Sequence, residues 1–205
     1  RTAISHDGKG NVWVVASAQI DGHWDLYGRR YSNGGWLEAV QLSENAEPDL
    51  HHVLVRATDG AVWLVWQSFR DGQSDIVARR WDGQEWVAEI RVSDSAANDW
   101  EPAAAALPDG GLAVAWDSYE HGQYDIFCRR VNSKGAGAIV RVTGSPDLEA
   151  RASVACDRSG RTSRRVACEI GGKGVARLHQ QDPADRAAGR DGGARGGLGE
   201  VAGRK

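Results

Sequence analysis

The sequence predicts an all-β chain built from a tandem repeat with a period of 50 residues. The spacing of its turn residues predicts this. Asp21-Gly22, Asp71-Gly72 and His121-Gly122 recur one period apart, as do Gly10, Gly60, Gly110 and Gly160. The charged positions keep the same phase, in Asp25, Asp75 and Asp125 and in the pairs Arg29-Arg30, Arg79-Arg80 and Arg129-Arg130. Ser43, Ser93 and Thr143 follow it too, and Trp36 matches Trp86, although the third copy has Ala136. The remaining observation is local: Val87, Glu89, Arg91 and Ser93 alternate with Ala88, Ile90 and Val92. That is the period-2 pattern of a strand with one wet face. Helical periodicity is absent through residues 1–160.

Taken in order, the second copy reads as four short strands, around His52–Thr58, Val62–Ser68, Asp75–Trp81 and Trp86–Ser93. The turns Asp59-Gly60, Arg70-Asp71-Gly72 and Asp82-Gly83-Gln84 separate them. Asp-Gly pairs supply the positive φ that tight hairpins require. Four antiparallel strands per ~40–50 residues is the arithmetic of a β-propeller blade. One blade cannot bury both its faces, so neighbours must stack. Large residues in register fit that need: Trp66 with Trp116, Ile76 with Ile126, Val65 with Ala115. The expected architecture is a partial β-propeller of about three four-stranded antiparallel blades plus the start of a fourth, with a disordered C-terminal tail. Residues 1–43 form blade 1, its inner strand partly truncated; 44–93 form blade 2, 94–143 blade 3 and 144–170 an incomplete blade 4. Residues 171–205 form a low-complexity tail.

The period fails after Gly160. Val166-Ala167-Cys168-Glu169 echoes Val114-Ala115-Trp116-Asp117 two residues late, and no Phe, Trp or Tyr occurs beyond Phe127. A Gly-, Ala- and Arg-rich segment this poor in large apolar residues cannot offset its ordering entropy. Two readings stay open, a natural flexible tail and an out-of-frame translation of a GC-rich gene.

The 205 residues, 41% of them apolar, suffice for a core. A net charge of −3 excludes a polycation for nucleic acid and a basic membrane patch. No apolar run approaches the roughly 20 residues that span a bilayer, so no membrane insertion is expected. Arg1 stands where an initiator Met would, and the chain has no Met; the expectation is a fragment of a longer protein. Propellers typically close with about 4–8 blades. Open blade faces bearing Trp and Val are therefore expected to drive self-association. Cys128, Cys156 and Cys168 lack metal-ligand spacing and, being odd in number, a disulfide framework. They are expected as small apolar residues.

The copies resemble the sialidase-like, BNR-type and TolB-type propeller repeats. The resemblance rests on a D-x-x-G turn followed by an apolar strand. It stands here as Asp7-Gly8-Lys9-Gly10-Asn11-Val12-Trp13, as Asp157-Arg158-Ser159-Gly160 and, shortened, as Asp59-Gly60-Ala61-Val62-Trp63. Ser5-His6-Asp7 with Gly10 and Trp13 is close to an Asp-box with one extra residue. The resemblance covers residues 1–160. It implies an architecture in which the Asp-box stabilises a turn far from any active centre, and a location in the cell envelope or outside the cell. A sialidase would further need an arginine triad, a Tyr nucleophile and a Glu base. Guanidinium groups do clamp carboxylates, but these arginine pairs recur identically in all three copies and so are expected to serve the scaffold. Arg30, Arg80 and Arg130 are expected to pair with Asp25, Asp75 and Asp125 or with adjacent blades. Tyr27, Tyr31, Tyr119 and Tyr124 fall in strands or hairpins, away from the axial end.

Repetition also sorts residues by role. Positions equal in all copies are architectural, and those that differ at a convergent place are candidates for function. Propellers converge where the chain enters each innermost strand, at Glu44–His52, Asp94–Pro102 and Gly144–Ala152. The ligand-binding candidates are Asp49, His51, Asp99, Trp100, Glu101, Glu149 and Arg151. Carboxylates suit hydroxyls or a cation, and Trp100 offers a stacking face for a sugar. Adjacent strand residues point to opposite faces, so His51 and His52 are not expected to chelate one metal. No nucleophile elbow, phosphate loop, zinc signature or D-x-D-x-D-G calcium run is present, and no cofactor is expected. The leading expectation is a non-catalytic module binding a carbohydrate or protein partner. The alternative is a sialidase-like or other glycoside hydrolase using Asp49, Asp99, Glu101 and Glu149 as acid and base. A scaffold without a ligand is the third.

Overall fold

The computed structural model describes residues 1–120, 122–156, 164–170 and 175–177. All regular structure among them is β, in four antiparallel sheets. The first sheet holds β1 (Thr2–His6), β2 (Val12–Ile20), β3 (His23–Ser32) and the short β4 (Gly35–Trp36) and β5 (Val40–Gln41). The second holds β6 (Asp49–Arg56), β7 (Val62–Arg70), β8 (Gln73–Trp81) and β9 (Ile90–Arg91). The third holds β10 (Asp99–Ala106), β11 (Leu112–Ser118), β12 (Asp125–Asn132) and β13 (Gly135–Arg141). The fourth holds β14 (Glu149–Cys156), β15 (Arg164–Ile170) and β16 (Val175–Arg177). Each sheet is a meander in sequence order, save that β4 and β5 both pair with β3. The first strands of successive sheets lie side by side, β1 by β6, β6 by β10, and β10 by β14.

Sheets stack face to face through apolar side chains, in contacts that recur with the period. Val15, Leu26 and Leu42 meet Leu64, Trp66 and Val77. Val65, Ile76, Ala78 and Val92 then meet Leu112, Val114, Trp116 and Phe127. Ala113, Ala115, Ile126 and Cys128 meet Ala152, Val154 and Cys156 of the fourth sheet. Trp66, Trp116, Ile76, Ile126, Val65 and Ala115 are all buried. Beside the first interface, Trp13 packs edge-on against Trp81 and Trp86 with ring centroids 5.0 and 5.1 Å away.

The recurrent polar residues clamp each sheet internally. The hydroxyls of Ser43, Ser93 and Thr143 accept the N–H of Leu26, Ile76 and Ile126 at 2.8–2.9 Å. Asp25, Asp75 and Asp125 accept from Gln41, Arg91 and Arg141 at 3.1, 2.8 and 2.6 Å. This corrects the aspartate partners expected for Arg80 and Arg130. Arg80 and Arg130 instead reach back to Asp59 and Asp109, in the turn between the first two strands of their own sheets. In the first copy that position is Lys9, and Arg30 lies over the Trp81 ring at 4.8 Å. Arg79 and Arg129 link sheets, donating to the carbonyls of Leu42 and Val92 of the preceding sheet at 2.8 Å each.

Other departures concern strand limits. The inner strands begin at Asp49, Asp99 and Glu149, inside the segments expected as loops. The last strand of the second sheet is not the continuous Trp86–Ser93. It is a Trp81–Trp86 bridge followed by the two-residue β9. Arg79 takes the Trp86 and Val87 carbonyls with its guanidinium, so a side chain supplies donors there in place of a backbone ladder. The fourth sheet runs past residue 170, because Val175–Arg177 pairs with Ala167–Glu169 where the tail was expected to start. The turn at Asp157–Gly160, His121 and the rest of the expected tail lie outside the described residues.

At one place the turns of two sheets touch by backbone alone. The Gly8 N–H donates to the Gly60 carbonyl at 2.8 Å. Gly60 has φ +87°, and a Cβ there would stand 2.9 Å from the Gly8 Cα. Both the conformation and the contact demand glycine.

Candidate functional site

Each of the last three inner strands contains a β-bulge near its start. Pairing slips between Leu50 and Val53, between Trp100 and Ala103, and between Ala150 and Ala152. The extra residue is left-handed in every case: His51 at φ 50°, Glu101 at 48° and Arg151 at 61°. None is glycine, so each bulge holds an uncommon backbone state of the kind that re-aims a side chain beside functional sites.

The bulges are supported from the preceding sheet. At the end of β7, the Gln67 side-chain oxygen accepts the Glu101 N–H at 3.4 Å. One period later Asp117, at the end of β11, accepts the Arg151 N–H at 3.0 and 2.9 Å and the Ala152 N–H at 3.4 Å. The first copy has Ser17 in this place, and its hydroxyl lies 3.3 Å from His52 Nδ1. His52 is buried and also bonds the Val15 carbonyl through Nε2 at 3.0 Å. Burial disfavours its charged form and lowers its pKa. The adjacent histidines thus part company, His52 into the sheet interface and His51 to the surface.

His51, Gln67, Trp100, Glu101, Asp117, Tyr124, Ala150 and Arg151 line an open cavity of about 260 Å³ across the second, third and fourth sheets. Four sequence candidates therefore come together: His51, Trp100, Glu101 and Arg151. The other three turn inward. Asp49 is fully buried and accepts from Trp66 Nε1 at 2.9 Å and Asn45 Nδ2 at 2.7 Å. Asp99, also fully buried, accepts from the Ser95 hydroxyl at 3.2 Å, and burial raises its pKa. Glu149, 2% exposed, accepts from the Ser145 hydroxyl at 2.8 Å. Their carboxyl groups tie each connecting loop to its sheet and do not line the cavity.

Gln67, Asp117 and Tyr124 were missed from sequence. Ser17, Gln67 and Asp117 do share one phase and differ in chemistry, which is the signal that marked the bulge positions. Here it lies toward the far ends of the second strands, away from the loops that enter the inner strands. Tyr124, expected in a strand or hairpin away from any site, lines this cavity. Its ring lies 5.3 Å from that of Trp100.

Electrostatically the cavity is mixed. The Asp117 carboxyl is pushed up to about 6, first by burial and further by the Glu101 charge, against the opposing backbone bonds and Arg151. Glu101 and Arg151 are exposed at the rim and His51 is half-buried. The arrangement offers two carboxyls, a guanidinium, an imidazole and an amide around aromatic faces. That set can bond neutral polyhydroxyl groups as donor and as acceptor.

No protein-family model and no curated protein sequence matches the chain. Solved structures do. A thermostable family-43 glycoside hydrolase is similar at TM-score 0.53 and 12% identity, over 87% of this chain and 71% of that one. A Hadza microbial sialidase is similar at TM-score 0.56 and 11% identity, over 83% of this chain and 42% of that one. An endo-arabinase from Bacteroides thetaiotaomicron is similar at TM-score 0.53 and 16% identity, over 87% of this chain and 74% of that one. At these identities the likeness concerns fold alone, and the fold is the β-propeller type of glycoside hydrolases and sialidases.

Proposed function

We propose that this chain is part of a β-propeller, with three four-stranded blades and part of a fourth, that binds carbohydrate without catalysis in the His51–Arg151 cavity. The observation that carries the reading is the Trp100–Tyr124 pair opening onto Gln67, Glu101, Asp117 and Arg151 in one cavity. Sugars present an apolar ring face and a hydroxyl edge, and this wall offers a counterpart to each. The glycan-acting proteins among its fold neighbours agree with the reading in kind.

A second reading has its own support. A carboxyl held near pKa 6 beside the Glu101 charge is the electrostatic pattern of a glycosidase acid. Binding is favoured because both Asp117 oxygens already accept backbone N–H groups of the fourth sheet. That places the carboxylate as a clamp on the Arg151 bulge. The test is a glycan array with turnover assays on the same sugars, for wild type, Trp100→Ala and Glu101→Gln. Binding lost in both variants, with no turnover in wild type, is the expected result. Turnover abolished by Glu101→Gln makes the protein a hydrolase.

The same reading covers association. The outward face of the first sheet exposes Ile4, Tyr31 and Trp36, where the equivalent Leu54, Trp81 and Trp86 lie against a neighbour. This face continues the sheet-stacking interface, and its proposed occupant is a second copy of the chain. Sedimentation should find concentration-dependent association that Trp36→Lys weakens; a monodisperse wild-type monomer would overturn it.

A further inference from the structure

An aromatic row leaves the cavity on one side. Trp100 lines the wall with Tyr124, and the Tyr124 ring meets that of Tyr119 at 5.1 Å, turned by 60°. Tyr119 is 47% exposed. The row therefore starts inside the cavity and ends in solvent on the β11–β12 hairpin, spanning up to about 10 Å. Backbone bonds to neighbouring segments hold its middle and its outer end. The Tyr119 N–H donates to the Asn98 carbonyl at 3.3 Å, and the Tyr124 carbonyl accepts the Glu149 N–H at 3.2 Å.

The row is specific to the third copy. The residues one period earlier are Phe69, Ser74 and Leu50, and in the first copy Gln19 and Trp24 stand in the two hairpin positions. Ser74 shows what the scaffold asks of this place, since its hydroxyl is buried and donates to the Asp99 carbonyl at 2.7 Å. Tyr124 replaces that sheet-to-sheet bond with a ring facing the cavity. Three rings in contact, one of them about half in water, are not needed to stack the sheets, because the interface between third and fourth sheets runs through Ala113, Ala115, Ile126 and Cys128.

We propose that Trp100, Tyr124 and Tyr119 form an extended binding ledge, so that the ligand is an oligosaccharide. Its terminal unit occupies the cavity and its following units lie over Tyr124 and Tyr119. This rests on the carbohydrate reading above. A cavity of about 260 Å³ accommodates little more than one sugar unit, and the ledge supplies apolar faces for the next. The turn between the Tyr124 and Tyr119 planes suits a chain whose successive rings are rotated about the linkage.

The experiment measures affinities by calorimetry for cello-, xylo- and arabino-oligosaccharides of one to five units. The proteins are the full chain, Tyr119→Ala, Tyr119→Phe and Trp100→Ala, each with its melting temperature. For at least one series, affinity should rise roughly tenfold or more from one unit to three. Tyr119→Ala should remove that gain while leaving the single-unit affinity and the melting temperature in place, and Tyr119→Phe should keep it. Trp100→Ala should weaken every length. If affinity is flat with length, or Tyr119→Ala lowers all lengths alike, the ledge is refuted while the cavity stands. If no sugar of any length binds, the carbohydrate reading falls and the ledge with it.

Discussion

The first and second sheets are built from the same repeat, yet one is covered on both faces and the other on one. Leu64, Trp66 and Val77 of the second sheet seat against the first, and all are buried. Their counterparts one period earlier, Val14, Ala16 and Tyr27, are only half-buried. The arginine hook differs in the same way. Arg79 bonds three carbonyls, one of them Leu42 of the preceding sheet. Among the described residues Arg29 keeps the bond to the Leu37 carbonyl at 2.7 Å and rests near Trp36, with no counterpart of Leu42 to meet. The difference teaches that the repeat is not a self-sufficient unit. Its sequence is written for a neighbour, and the energy of each apolar position depends on whether that neighbour is there.

The largest effect that tests this contrast is at Trp66. Removing this buried ring and its bond to Asp49 should cost about 3–5 kcal/mol in urea unfolding. Trp36→Ala, on the uncovered face, should cost less than about 1 kcal/mol; comparable losses would mean that the two faces are energetically alike. The hook gives a smaller pair. Arg79→Ala frees carbonyls at a sheet interface and should destabilise by about 2–3 kcal/mol, against less than about 1 kcal/mol for Arg29→Ala. Equal costs would show that the Leu42 bond contributes nothing.

The smallest effect extends the contrast to Ser17, Gln67 and Asp117, a position that carries a carboxyl only in the third sheet. The Asp117 carboxyl titrates near pH 6 when folded but near its ordinary 3.8 when unfolded. Between about pH 4 and 6 the folded chain therefore holds more protons, so this group makes stability fall as pH rises through that window and adds no slope above it. Asp25 and Asp99, also raised by burial, add slope of the same sign. Asp117→Asn keeps an acceptor for the Arg151 amide and should be more resistant to urea than wild type above pH 6, with the advantage vanishing by pH 4. A constant difference across that range would remove the titration of Asp117 as its cause.

The all-β architecture and the period were legible because turn chemistry is local: Asp-Gly pairs and alternating strands report on their own neighbourhood. Which charged residues meet was not, since Asp75 is much nearer to Arg80 in sequence than Asp59 is, and only hairpin register selects the more distant Asp59. Half of the cavity was legible through divergence at residues 51, 100, 101 and 151. The inward turn of Asp49, Asp99 and Glu149 was hidden, because a bulge one or two residues later decides which side chains face out. A bulge formed by His, Glu or Arg has no turn signature of the kind glycine would leave.

Those three left-handed residues carry one more consequence. His51, Glu101 and Arg151 present an imidazole, a carboxylate and a guanidinium from one backbone socket held in triplicate. A side chain exchanged at such a socket changes the rim chemistry without rewriting any ladder or stacking contact. Ligand preference can therefore drift by single substitutions while the architecture stays fixed, as long as the newcomer tolerates a positive φ. The permitted alphabet is thus set by the main chain: Asn, Asp, His or Gly enter readily, and Val, Ile and Thr are barred.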